Sequence, residues 1–91
     1  MKKHLLIFGK VQGVGFRNWF FQNAIKKNIR GWVKNTIQGQ VEALLIGDDK
    51  NVIELIKQIE KGPYFSNVTK VKIQDHKQDY YKKSFDILSS N

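Results

Sequence analysis

The chain has no cysteine and only one proline among its 91 residues. Without thiols it has no disulfide framework, no thiolate metal site and no cysteine nucleophile for phosphoryl transfer. Long apolar runs are missing as well. None is longer than Leu5-Leu6-Ile7-Phe8, which has the length of a strand. It falls far short of the ~18 residues of a membrane span and does not form a secretory h-region. A cytoplasmic protein with no membrane partner is therefore expected. Acidic residues are absent from the first 41 positions and begin only at Glu42.

What is present suits one small globular domain over residues 1–91: 41% hydrophobic and 12% aromatic residues, with seven glycines. Two cores would not fit, because a chain of this size buries only about 60% of its unfolded surface. The net charge is +8, carried by fourteen Lys and two Arg against eight acids. Residues 1–41 hold eight of those cations and no acid, whereas residues 42–91 hold eight of each sign. The whole excess belongs to the N-terminal segment, which should generate a local positive field.

The apolar run at residues 5–8 reads as a strand buried on both faces. Three glycines between Gly9 and Gly15 then mark a loop. Phe16, Phe20 and Ala24 recur at helical spacing, with Trp19, Phe21 and Ile25 widening the stripe, so residues 16–28 read as a helix. Asn28 stands where that helix must stop, and Asn tolerates the left-handed conformation of a C-terminal cap. Residues 29–34 and the alternating Val41, Ala43 and Leu45 form a hairpin about a turn at residues 35–39. Val52, Leu55, Ile56 and Ile59 mark a second helix, with Asp48 and Asp49 read as its N-cap and Gly62-Pro63 as its stop. Val71 and Ile73 mark a fourth strand, and Phe85 with Ile87 suggests a short fifth. Tyr80-Tyr81 fits either a strand or a packing anchor. The order βαββαβ predicts an α+β, ferredoxin-like split-βαβ sandwich, with two helices on one face of an antiparallel sheet.

The first helix is preceded by Val14-Gly15-Phe16, which contains no Ser, Thr, Asp or Asn to cap it. The amides of a helix start need acceptors, and the macrodipole places partial positive charge there. A glycine loop feeding such a start is a ready anion site, because Gly13 and Gly15 let successive amides converge on one oxygen cluster. Arg17 lies in the first helical turn, where a cation opposes the dipole, in a chain that otherwise prefers Lys. Its guanidinium fork matches two phosphate oxygens. Neither the P-loop nor the dinucleotide fingerprint occurs. His4 and His76 have no ligand-spaced partners and read as structural or solvated.

Gly9-Lys10-Val11-Gln12-Gly13-Val14-Gly15-Phe16-Arg17 resembles the acylphosphatase signature G-x-V-Q-G-V-x-[FY]-R at every fixed position. Gly31-Trp32-Val33-Lys34-Asn35, followed by Gly39-Gln40-Val41-Glu42, resembles the second motif of that family, G-W-V-[RK]-N with a downstream G-x-V-E. Length and element order agree from end to end. The resemblance implies hydrolysis of acyl phosphates to carboxylate and inorganic phosphate, without metal or cofactor. It implies that Arg17 and the amides of Gln12, Gly13, Val14, Gly15, Phe16 and Arg17 cradle the phosphate. Asn35 would hold the attacking water. Inorganic phosphate or sulfate would compete for the cradle, and a monomer is expected.

Two departures stand out. Lys27-Asn28 replaces the usual Leu-Gly, and the left-handed turn should survive. Tyr64-Phe65-Ser66 is bulkier than the family's small residues, and if it borders the site it could alter acyl-group preference. Trp32 reads as core packing.

Two rival readings have different consequences. An RNA-binding module would share the topology, but its aromatic strand pattern is missing, and Leu44 and Ile46 would line the relevant face. No nucleic-acid partner is therefore expected. A non-catalytic acylphosphatase-like domain belongs in a longer chain. This one opens at Met1 and stops soon after its last strand, so a stand-alone enzyme is expected.

Overall fold

The computed structural model describes residues 1–89. The elements are β1 (Lys2–Lys10), α1 (Phe16–Lys26), β2 (Arg30–Asn35), β3 (Val41–Ile46), α2 (Asp49–Lys61), β4 (Asn67–Asp75) and β5 (Phe85–Ile87). They form one five-stranded sheet in the order β4-β1-β3-β2-β5, with both helices contributing to a single core. The split-βαβ architecture is the one expected. The short fifth strand is real, but it pairs parallel to β2, so the sheet is mixed rather than antiparallel.

The pairing β4-β1-β3 and β3-β2 is antiparallel, with Leu5 opposite Ala43 and Val33 opposite Ala43 on the other side. Opposed residues share a face, so Leu5, Ile7, Val33, Val41, Ala43 and Leu45 form one apolar layer. Against it pack Phe16, Phe20 and Ala24 of α1 and Val52, Leu55 and Ile59 of α2, all buried. Phe20 stacks on Phe85 at 5.8 Å between ring centroids, which ties the last strand to α1. Asn28 has φ +54°, the left-handed conformation that ends α1.

Three expectations need correction. β1 is not buried on both faces. Leu5 and Ile7 face the helices, while Leu6 and Phe8 are half-buried on the opposite side, because both helices lie on one face. Trp32 is not in the core either. Alternation turns it to the open face, where its ring meets His4 edge-on and Lys34 Nζ lies 5.5 Å from its centroid. Asp48 occupies the N-cap position of α2 but its side chain makes no capping hydrogen bond, and Asp49 instead pairs with the N-terminal amine at 3.3 Å. The charge of the amine draws the Asp49 carboxylate across the chain, which the sequence pattern of a cap does not reveal.

Residues 76–84 carry the chain from one sheet edge to the other. His76 N donates to Lys2 O, Lys2 Nζ to Gln78 O, and Arg30 Nη1 to both Tyr80 O and Lys82 O. This strap delivers β5 beside β2 in the parallel sense. Tyr80 acts as the packing anchor, its hydroxyl 3.5 Å from Gly31 O, and Tyr81 is exposed. Burial pushes the Tyr80 phenol above its ordinary value.

Candidate active site

The loop of residues 11–15 begins where Val11 plugs into the core, and it ends at the first residue of α1. Gly13 and Gly15 hold φ of +74° and +81°. A side-chain-bearing residue would be strained there by about 1–2 kcal/mol. A Cβ at Gly15 would meet nothing within 4 Å, so strain and not collision is the constraint. Gly15→Ala should accordingly lower stability by about 1–2 kcal/mol in urea unfolding. An unchanged midpoint would show that residue 15 does not need the left-handed conformation.

Gly15 is the N-cap of α1, and no side chain caps the helix. The first intrahelical bond is Trp19 N to Gly15 O at 3.1 Å, so the amides before it receive no partner from the helix ladder. The first turn contains no acid. Arg17 is half-buried and, among the described residues, engages in no hydrogen bond or ion pair. A charged fork is thus held at a positive helix end with no partner among the described residues to balance it.

Across from this loop, Asn35 closes β2. Its Oδ1 is buried without a hydrogen-bond partner among the described residues. A buried amide oxygen left unmatched costs free energy, so it is poised to accept from something small that enters the cleft. Gly13, Gly15, Phe16, Arg17 and Asn35 line one cleft of about 250 Å³. Two anticipated residues stand outside that lining. Gln12 turns its side chain away to the turn after β2, and Val14 packs against the core.

The cleft also holds Val11, Asn18 and Ile87, which the sequence reading did not single out. Val11 and Asn18 flank residues that were chosen, so proximity in the chain was a usable signal. Ile87 had none, since only the parallel pairing of β5 brings it there. Tyr64 and Phe65 do not border the cleft. They meet each other edge-on at 5.4 Å, with Tyr64 exposed, and do not shape the site. None of the lining residues is acidic. Among the described residues no three His, Cys, Asp or Glu side chains gather as a metal would require.

Fold and cleft together define a class: ferredoxin-like proteins with a cleft between a glycine loop, an uncapped helix start and a strand end. The acylphosphatase family model matches residues 3–87 of the chain. An acylphosphatase of Chlorobaculum tepidum is 40% identical over 86 residues, 94% of either chain. One from Alcanivorax borkumensis is 39% identical, over 85% of this chain and 84% of that one. The crystal structure of acylphosphatase from Bacillus subtilis superposes with a TM-score of 0.90 at 31% identity, covering 96% of this chain and 97% of that one. The chain belongs to the acylphosphatase family.

Proposed function

We propose that this protein hydrolyses acyl phosphates, with Arg17 and the amides of residues 12–17 binding the phosphoryl group and Asn35 positioning the water. The observation that carries the reading is a single cleft holding an uncapped helix start together with a guanidinium and a buried amide oxygen that have no partner among the described residues. The mixed anhydride suits such a site. Its carboxylate departs without being protonated, so a strong general acid has no necessary task. What remains is to place a water in line with the breaking P–O bond and to stabilise charge on the phosphoryl oxygens. The amides and the guanidinium do the second, as preorganised donors. Asn35 does the first, accepting from the water through Oδ1. As the water's oxygen bonds to phosphorus, its proton passes to a phosphoryl oxygen, and the electron pair of the breaking bond leaves with the carboxylate. No residue here need act as a base, since Asn is not one.

Residues 1–91 act as a single cytoplasmic domain and as a monomer in this reading. Phosphate release from a simple acyl phosphate should persist in a metal chelator. Loss of turnover on chelation, restored by a divalent cation, would overturn the mechanism. Inorganic phosphate and sulfate should inhibit competitively. Their inhibition should weaken with rising ionic strength, because part of the attraction is the field of the acid-free residues 1–41.

A further inference from the structure

The Gln12 side chain makes two bonds that phosphate binding does not use. Its Nε2 donates to Thr36 O at 2.8 Å and to Gln40 O at 2.7 Å. One primary amide thus spends both of its hydrogens on two carbonyls 24 and 28 positions along the chain. These carbonyls stand on the two limbs of the β2–β3 turn. Thr36 N donates to Gln40 O at 2.9 Å, and Gln40 N to Thr36 Oγ1 at 3.2 Å, so the limbs are also bonded to each other. Thr36 directly follows Asn35.

We infer that Gln12 is a positioning residue that locks the phosphate loop to the turn carrying Asn35, and so sets where the water stands relative to the phosphorus. The inference rests on the proposed roles of the loop and Asn35. Its physical basis is the separation of the two halves of the site in the chain. The loop lies at the end of β1 and Asn35 at the end of β2, and these strands are not neighbours, since β3 lies between them. A tie between the loop and the turn fixes a distance that the intervening strand leaves less constrained. The bonds are part-buried, where solvent competes poorly for the carbonyls. In-line attack is sensitive to such a distance, and a displacement of ~1 Å can cost on the order of 10²-fold in rate.

Gln12→Met keeps length and volume while removing both donors, and retention of the fold is checked by circular dichroism and the melting curve. We expect kcat to fall about 10- to 100-fold, as misplacement of a reacting group predicts. The inhibition constant for inorganic phosphate should change by less than about threefold, because the cradle uses backbone amides and Arg17 rather than this side chain. A purely structural role would lower the melting temperature and leave kcat of the folded protein intact.

A double-mutant cycle with Asn35→Ala separates the possibilities. If Gln12 works through Asn35, adding Gln12→Met to Asn35→Ala should cost less than about a further twofold in kcat, a non-additive result. Parental kcat in folded Gln12→Met, multiplying losses in the cycle, or a phosphate constant that rises as much as kcat falls would each overturn the inference. These outcomes leave the Asn35 assignment standing so long as Asn35→Ala alone loses turnover. If Asn35→Ala keeps parental kcat, the underlying reading fails and this inference goes with it.

Discussion

Arg17→Lys is expected to lower kcat/KM by about 10²-fold or more and to weaken inhibition by inorganic phosphate, although the net charge is unchanged. The guanidinium presents two parallel N–H groups in a rigid plane, matched to two oxygens of one phosphoryl group. An ammonium offers a single mobile point charge, so it supplies the field without fixing orientation. Orientation matters because the barrier in this chemistry is mainly one of placement and charge stabilisation. Arg17 lines the cleft without an ion pair among the described residues, so in the proposed mechanism its charge is available to the phosphoryl group. Substrate kinetics and the phosphate inhibition constant of the purified variant provide the check. A lysine variant as active as the parent would reduce Arg17 to a source of field.

The same residue should contribute little to stability. In the free protein its charge faces the positive end of α1, an arrangement that costs roughly 0.3–1 kcal/mol on a surface helix. Replacing Arg17 should therefore leave the melting temperature unchanged or slightly raised, the opposite of what removal of a core or capping residue would do. In the proposed mechanism, phosphate binding is what offsets this cost.

Features set by local chain chemistry were legible in the sequence, and those set by long-range competition were not. Gly13, Gly15 and Asn28 reflect backbone preferences that act within a few residues, and all three take left-handed conformations. The helices follow from the spacing of Phe16, Phe20 and Ala24, and of Val52, Leu55 and Ile59, which are the residues that end up buried. The pair Asp48-Asp49 misled because residue type and position do not fix where a side chain turns: Asp48 holds the cap position without making the bond, and Asp49 meets the N-terminal amine, 48 positions away. Trp32 misled because an aromatic within a strand motif suits either face, and only the register with Leu44 shows which one. The direction of β5 depends on the strap held by Lys2 and Arg30, contacts that span up to 76 residues. The motifs named Arg17, Asn35, Gly13 and Gly15, and the structure brings these four into one cleft. The bonds of Gln12 could not be read from the motifs, since the sequence places its backbone in the loop but says nothing of where its amide turns.

Asn35→Ala gives the sharpest separation between two readings of one residue. As a turn residue after β2, Asn35 would owe its place to local hydrogen bonding, and its loss would cost about 1 kcal/mol of stability while sparing catalysis. The geometry argues against that role. The turn is closed by Thr36 and Gln40, through Thr36 N to Gln40 O and Gln40 N to Thr36 Oγ1, and Asn35 Oδ1 takes no part. Removing a buried oxygen that has no partner relieves a cost rather than creating one, so the fold should survive with little change in melting temperature. Phosphate binding should survive as well, because the loop and Arg17 supply the phosphate contacts in the proposed mechanism. Turnover should not. Deleting one preorganised hydrogen bond to the reacting water is expected to lower kcat by roughly 10²–10³-fold, the scale of a lost transition-state contact. KM should change little, since the residue touches the water and not the bound phosphate. Steady-state kinetics with the phosphate inhibition constant measured in parallel distinguish the cases. A folded Asn35→Ala protein with near-parental kcat would remove Asn35 from the chemistry and leave the cleft a phosphate-binding site whose water is held by something else.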